Sequence, residues 1–142
     1  VLGLAPSADA VVMAAAVADF RPSDVIDHKI KKDEGVPTMV LSPTDDVLAA
    51  LVAARGQGQV VVGFAAETGD GEGSVLDHAR AKLARKGCDL LVVNEVGVGV
   101  TFGQDDNTVH ILEKGSDHVT DIGPATKLEV AHAVWDAVTD LL

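Results

Sequence analysis

Two clusters of basic side chains are the most concentrated chemical groups in this sequence. The first cluster is Lys29, Lys31 and Lys32, and the second is Arg80, Lys82, Arg85 and Lys86. The chain is otherwise acidic, with 22 Asp and Glu residues against 11 Lys and Arg, and a net charge of −11. Because most of its basic residues are concentrated in this way, the sequence favours a small polyanionic ligand. A solvated patch is the alternative for either cluster alone.

Polar side chains follow three apolar runs, at the points where buried strands would end. The runs are Ala10–Ala18, Val60–Ala66 and Leu90–Val93, and the residues that follow them are Asp19, Glu67, Thr68, Asn94 and Glu95. None of the runs alternates between apolar and polar residues, which is typical of parallel strands buried on both faces. Open parallel sheets bind ligands beyond the carboxyl ends of their strands. This edge of the sheet is therefore the predicted site.

Several residues near this edge have both a functional and a structural interpretation. Asp19 could coordinate magnesium or accept hydrogen bonds from a sugar, or it could stabilise the following turn. Phe64 could stack on a nucleobase or belong to the core. The first basic cluster could close over a triphosphate or remain solvated. Lys82 and Lys86, one helical turn apart, could bind an anion or lie on a solvated helix face.

The elements that must position these residues are helices and short strands. A helix is predicted near Asp46–Arg55, with inward residues Val47, Leu48, Leu51 and Val52. A second helix begins after Ser74, which forms a capping box with Asp77, and ends at Gly87. Its apolar stripe is Leu76, Ala79 and Leu83. With the apolar runs, these helices predict alternating helices and parallel strands.

The C-terminal part of the chain departs from this alternation. Thr38–Leu41 is a short strand candidate, and Asn107–Leu112 with His118–Ile122 predicts an antiparallel hairpin. A final helix is predicted from about Lys127 to Leu142, with a capping box from Thr126 and Glu129 and inward residues Leu128, Ala131, Trp135 and Val138. The predicted fold is a Rossmann-like three-layer α/β fold with a largely parallel sheet, a C-terminal antiparallel hairpin and a terminal helix.

The composition and charge exclude several classes of protein. A chain of 142 residues fits one domain. The net charge argues against nucleic acid and anionic membranes as partners. The single cysteine, Cys88, excludes an intrachain disulfide and a cysteine-based zinc site, and we expect a buried thiol. The five histidines have no metal-binding spacing. We expect a cytoplasmic protein, because no signal peptide or membrane helix is visible.

Five segments together resemble a known family. They read AAAVADFRP, HKIKK, GFAAET, ARAKLARKGCDLLVVNEV and FGQDDNTVHIL, in this order. In order and spacing they closely resemble the phosphopantothenoylcysteine synthetase family, and the resemblance covers essentially residues 1–142. In most bacteria this ligase is the C-terminal half of a bifunctional protein. The N-terminal half there is a decarboxylase that uses FMN.

The resemblance implies a reaction and its partners. The carboxylate of 4′-phosphopantothenate attacks CTP, which releases pyrophosphate and forms an acyl-cytidylate. The amine of cysteine then displaces CMP, and Mg²⁺ is required. Family members form homodimers through this domain, and the Thr38–Leu41 strand and the Asn107–Ile122 hairpin are the expected contributors. FMN belongs only to the decarboxylase half, which is absent from this chain.

The resemblance also assigns residues by motif. The nucleotide-binding residues carried over are Met13, Ala14, Ala15, Asp19, Lys29, Asp45, Asp46, Val47, Leu48, Phe64, Lys82 and Lys86. Lys29 is the expected catalytic residue, meeting the phosphates and the activated acyl group, while Asp19 and Asp46 are the candidates for contact with magnesium. One departure is Asp45-Asp46, where the family has Pro-Asp.

A second departure concerns the start of the chain. The family's glycine-rich phosphate loop and the asparagine tied to cysteine coupling lie before Val1. We therefore expect the chain to be the C-terminal portion of the domain, with little or no ligase activity alone. Two alternatives stay open. One is a non-catalytic nucleotide-binding module of the same fold, and the other is a fragment of a dinucleotide-dependent oxidoreductase, in which HKIKK has no place.

Overall fold

The structure, a computed structural model, describes residues 1–31, 33, 35–68, 73–96 and 106–142, except for the side chain of Glu95. The chain divides into two compact units. We call Val1–Ala15 with Leu48–Leu142 the main unit, and Ala16–Val47 the inserted unit.

The strands and helices alternate in most of the main unit. In chain order the elements are β1 Ala10–Met13, β2 Phe20–Pro22, β3 Leu41–Pro43, α1 Val47–Ala54, β4 Val60–Glu67, α2 Val75–Lys86, β5 Leu90–Glu95, β6 Asp106–Glu113, β7 Val119–Thr126 and α3 Lys127–Thr139. A short 3₁₀ turn, Ala5–Ser7, precedes β1. None of the described helices combines the length and apolar character needed to cross a bilayer.

The main unit is built on a five-stranded mixed sheet in the order β1-β4-β5-β6-β7. Strands β1, β4 and β5 are parallel, while β6 runs antiparallel to β5 and β7 antiparallel to β6. The predicted parallel strands, C-terminal hairpin and final helix are confirmed. The hairpin strands are longer than predicted, and β6 joins the hairpin to the main sheet by pairing with β5.

Both faces of this sheet are covered by helices, which makes three layers. On one face, Val60 and Val62 of β4 pack in a core cluster with Val134 and other valines of α3. On the other face, a Cβ at Gly63 would lie 2.7 Å from Leu48 Cδ2 of α1. Helix α2 packs against β4, β5 and β6. Because side chains alternate along a strand, even-numbered residues of β4 face α3, and odd-numbered residues face α1 and α2.

Helix α2 has the ends that its sequence predicts. The Ser74 hydroxyl accepts a hydrogen bond from the Asp77 backbone N–H, and the Asp77 carboxylate accepts one from the Ser74 backbone N–H. These bonds from Ser74 hold the pKa of Asp77 below its usual value. At the other end, Gly87 adopts φ +72°, a conformation that glycine tolerates without strain. The predicted caps are therefore confirmed.

Two strand predictions in the first third of the chain are wrong in extent. Strand β1 ends at Met13, so the run Ala10–Ala18 is not a single buried strand, and Asp19 does not lie at the end of β1. The alanines after Met13 offer little side chain to bury, and the chain passes into the inserted unit at Ala16. The predicted strand Thr38–Leu41 is shifted toward the C-terminus: the observed strand is β3, Leu41–Pro43, because these are the residues that β2 pairs with.

The inserted unit contains a two-stranded antiparallel ribbon. Its register joins Phe20 with Pro43 and Pro22 with Leu41. A backbone bond from the Ser23 N–H to the Val40 carbonyl, 2.8 Å, extends the pairing by one step. The described side chains of this unit are mostly exposed. Since a short ribbon buries little apolar surface, the unit contributes little to the core.

The inward face of α3 differs from the prediction. Of the four predicted residues only Val138 is buried, while Leu128 and Trp135 are 67% and 52% exposed and Ala131 is also exposed. The buried face consists of Val130, Val134 and Val138, spaced four residues apart. Both stripes have helical spacing, so periodicity could not choose between them. The valine-lined sheet selects the valine stripe by packing.

We predict that the two stripes of α3 differ in their effect on stability. Val134→Ala removes two buried methyl groups and should lower the free energy of unfolding by about 2 kcal/mol. Leu128→Ala, the control on the exposed stripe, should change it by no more than about 0.5 kcal/mol. Urea unfolding of the two variants measures both values. A larger loss for Leu128→Ala would show that the exposed stripe is the one packed in solution.

Candidate functional site

The carboxyl edge of the parallel strands gathers part of the predicted site. The register pairs Met13 with Gly63, so Ala14 and Ala15 leave β1 at the level of Phe64. Phe64 is partly buried and packs against the core cluster on the α3 face. Its ring therefore has a structural role, and only its remaining exposed part is available to a ligand. Ala14 and Ala15 are exposed, which leaves their backbone accessible at this edge.

The last residues of β4 carry a second part of the site on the opposite face. Glu67 is an odd-numbered residue of β4 and therefore faces α2. Its Oε1 accepts a hydrogen bond of 2.7 Å from Lys82 Nζ. Helical side chains lean toward the helix N-terminus. Helix α2 returns from the carboxyl edge, so this lean carries the Lys82 ammonium back toward the end of β4. Lys86 is the last residue of α2. Its backbone lies about one turn, or about 6 Å, farther from that edge than the backbone of Lys82.

A polar cavity surrounds this ion pair. It has a volume of about 320 Å³ and is lined by Glu67, Thr68, His78, Ala81, Lys82 and Arg85. Within the described ranges, Arg85 makes no ion pair and no side-chain hydrogen bond. Lys82 and Arg85 outweigh the single carboxylate of Glu67, so the cavity suits an anion.

The inserted unit carries the predicted acidic residues and the first basic cluster. The Asp19 carbonyl accepts a hydrogen bond of 2.9 Å from the Thr44 N–H, and the Thr44 hydroxyl donates to the Ala18 carbonyl. The ribbon therefore brings Asp19 beside Thr44 and the following Asp45, although 26 residues separate Asp19 from Asp45. Asp46 follows directly, and Val47 and Leu48 open α1.

The lysines of the inserted unit are exposed. Lys29 makes no ion pair or side-chain hydrogen bond with any described residue, whereas its neighbour His28 contacts Asp27 at 3.1 Å. Lys31 lies beside a shallow apolar cavity lined by Ile30, Val36 and Pro37. Lys32 falls outside the described residues. Because Lys29 is exposed and has no partner in the described part of the chain, its ammonium is available for an anionic ligand.

Two further observations concern the single cysteine and the possible metal ligands. Burial raises the pKa of the Cys88 thiol, which is completely shielded from solvent, so the predicted buried cysteine is confirmed and its thiol is protonated at neutral pH. Among the described residues, no three His, Cys, Asp or Glu side chains are grouped so that they could hold a metal ion.

Sequence reasoning missed contacts between residues far apart in the chain. Arg55 donates two hydrogen bonds to Asp89, of 2.7 and 2.8 Å, and Asp89 also accepts from the Val61 N–H at 2.9 Å. The Asn107 side chain donates to Asn94 Oδ1 at 2.7 Å and so links β6 to β5. Nothing local in the sequence marks these pairs, because they depend on strand register.

Comparisons with known proteins identify the relatives of this chain. The protein-family model described as DNA/pantothenate metabolism flavoprotein C-terminal domain matches residues 1–142. The chain is 53% identical over 145 residues to the coenzyme A biosynthesis bifunctional protein CoaBC of Mycobacterium tuberculosis, covering 97% of this chain and 34% of that protein. It is 41% identical to the CoaBC of Bacillus subtilis, covering 99% and 34%. The chain thus spans about a third of the length of these curated relatives.

Solved structures show the same fold. The crystal structure of a CoaBC C-terminal domain has a TM-score of 0.71 and 27% identity, covering 96% of this chain and 56% of that one. A Cab2 variant in complex with phosphopantothenate-cysteine has a TM-score of 0.55 and 20% identity, covering 89% and 45%. The second likeness concerns the fold alone. The predicted three-layer α/β fold is confirmed by the first.

We predict that the Arg55–Asp89 contact holds the start of β5 against α1 and β4. Asp89→Ala leaves a half-buried guanidinium and the Val61 N–H without their partner, and should lower the free energy of unfolding by about 2 kcal/mol. Asp117→Ala, which removes an exposed carboxylate 4.0 Å from Arg80, is the control and should change it by less than about 0.5 kcal/mol. Equal effects in urea unfolding would contradict this role.

Proposed function

Because the chain belongs to the family of DNA/pantothenate metabolism flavoprotein C-terminal domains, we propose that it acts in coenzyme A biosynthesis as part of a phosphopantothenate–cysteine ligase. The observation that carries this proposal is the identity of 53% to a CoaBC protein across 97% of the chain. The Cab2 variant whose fold the chain shares was solved with phosphopantothenate-cysteine. We take 4′-phosphopantothenate and cysteine as the substrates.

The proposed reaction has two steps that use CTP. A carboxylate oxygen of 4′-phosphopantothenate attacks the α-phosphorus of CTP, and the bond to pyrophosphate breaks. The amine of cysteine then attacks the acyl carbon of the acyl-cytidylate, which releases CMP and a proton and forms the amide. Negative charge accumulates on the phosphate oxygens in the first step, so positioned cations are the main requirement.

The main unit supplies the proposed nucleotide contacts at the carboxyl edge of the sheet. The exposed backbone of Ala14 and Ala15, following Met13, is at the level of Phe64, whose partly exposed ring offers a surface to a base. Lys82 projects toward the end of β4 and is proposed to meet the phosphates. Lys86 is proposed as a more distant phosphate contact.

The inserted unit supplies the proposed catalytic lysine. Lys29 is exposed and has no partner among the described residues, so its ammonium can neutralise charge on the leaving pyrophosphate and on the activated acyl group. Asp19 precedes β2 and is bonded through its backbone to Thr44, which Asp45 and Asp46 follow at the same end of the ribbon. With Val47 and Leu48 they form the proposed turn around the nucleotide.

Magnesium is proposed to arrive with the nucleotide. In nucleotide sites Mg²⁺ is held by one or two carboxylates together with substrate phosphates, and it neutralises phosphate charge. The described residues fit this arrangement, since the backbone bond from Thr44 to Asp19 joins the segment that carries Asp19 to the segment that leads into Asp46, and no described group of three is suited to hold a metal without the nucleotide. We propose these two residues as its protein contacts.

The wider assembly is proposed by analogy with the relatives. CoaBC proteins are named bifunctional and are about three times as long as this chain. We propose that the whole protein also carries a decarboxylase half that uses FMN, that it forms a homodimer through this domain, and that it works in the cytoplasm. The region corresponding to residues 1–142 then serves as the ligase domain.

We predict a preference for CTP among nucleotides. Calorimetric titration of the chain with CTP, ATP and NAD, each with Mg²⁺, should give the tightest binding for CTP, with a dissociation constant at least about tenfold below that of ATP. A preference of this kind corresponds to about 1.4 kcal/mol, which one or two hydrogen bonds to the base can supply. Equal binding of the three ligands would contradict the cytidine assignment, and tightest binding of NAD would favour an oxidoreductase.

We also predict that two lysines carry the phosphate contacts. Lys29→Gln and Lys82→Ala each remove a charge-assisted hydrogen bond and should weaken CTP binding by about tenfold. Lys127→Gln, which removes the same charge at the exposed start of α3, is the control and should bind as the unaltered chain does. The same calorimetric titrations measure all three. An equal loss in the control would indicate only a general effect of net charge.

A further inference from the structure

The contact between Lys82 and Glu67 is unusual for a lysine proposed to bind phosphate, because its charge is already paired. The Nζ–Oε1 distance is 2.7 Å, and the two side chains are only 28% and 20% exposed. They come from different elements, α2 and the last position of β4. The pair lies in the wall of the polar cavity that also contains Thr68 and Arg85.

A lysine ammonium reaches its target on a flexible four-carbon stem and has three N–H donors. A carboxylate that takes one donor restricts the stem and leaves two donors for another ligand. Unpaired, the Lys82 side chain would spread over many rotamers in the solvent beside α2. Because side chains alternate along β4, Glu67 lies on the face that α2 covers. The sheet therefore fixes the direction in which the Glu67 carboxylate holds the Lys82 ammonium.

The same carboxylate also lowers the affinity for an anionic ligand, because its negative charge repels phosphate. The two effects can be separated, since a glutamine at position 67 has no charge but still offers an oxygen to the lysine. An alanine there has neither the charge nor the oxygen. The two substitutions change the net charge equally, so a difference between them does not come from charge, and the same pair of substitutions without Lys82 controls for side-chain size.

We propose that Glu67 is a positioning residue for nucleotide binding, which holds the Lys82 ammonium at the carboxyl edge of β4 so that its free donors meet a phosphate group. The proposal rests on the proposed function, because Lys82 is the phosphate contact there. A purely structural ion pair between α2 and β4 is the alternative. It would affect stability and would not couple Glu67 to ligand affinity through Lys82.

The test is calorimetric titration of four variants with CTP and, separately, with inorganic tripolyphosphate, both with Mg²⁺. The variants are Glu67→Gln and Glu67→Ala, each made in the unaltered chain and in Lys82→Ala. We expect Glu67→Ala to bind both ligands about fivefold more weakly than Glu67→Gln, the size of effect expected for one positioned hydrogen bond. In the Lys82→Ala background the two should bind equally, because the residue to be positioned is gone.

The outcomes separate this proposal from the proposed function. Equal binding by Glu67→Ala and Glu67→Gln, or a difference that persists without Lys82, overturns the positioning role. If tripolyphosphate shows the expected dependence on Glu67 but CTP is not preferred over ATP, the cytidine assignment fails and the positioning role stands. If neither ligand binds the unaltered chain, both fail. Urea unfolding of each variant confirms that the comparison is made between folded proteins.

Discussion

The burial of β4 and β5 on both faces is the constraint on which the other features depend. Strand β4 lies between β1 and β5, and its alternating side chains enter two different layers. Val60 and Val62 bind the sheet to α3, and Gly63 allows α1 to approach the other face. The same alternation continues to the end of the strand, where Phe64 faces α3 and Glu67 faces α2. The packing of the core therefore decides which functional groups share a face.

The two compact units differ in physical character. The main unit holds the buried core, so the groups at its sheet edge are attached to a packed framework. The inserted unit has a ribbon of two three-residue strands and mostly exposed side chains, and its Lys29 has no partner among the described residues. Positioned contacts such as Lys82 with Glu67 thus belong to the packed unit, while Lys29 belongs to the unit with less burial.

Much of the fold could be predicted because its signals are local. Ser74 with Asp77, Thr126 with Glu129, and Gly87 specify helix ends through neighbouring residues. Runs such as Leu90–Val93 identify buried strands by the absence of alternation. The failures occurred where two interpretations had equal local support. The face of α3 is one example, since the stripe of Leu128 and Trp135 has helical spacing, as the buried valines do. The position of Asp19 is another, because alanines after Met13 do not mark the end of a strand.

The sequence by itself determined most of the elements, the three-layer fold, and the residue types that follow β4 and β5, because propensity, capping and hydrophobic pattern act over a few residues. It also carries the ordered motifs by which the chain resembles its family. Only the tertiary structure decided which side chains meet. The pairs Lys82 with Glu67 and Arg55 with Asp89 are 15 and 34 residues apart. Their contact depends on strand register and on the faces that helices present, and these are set by packing of the whole core.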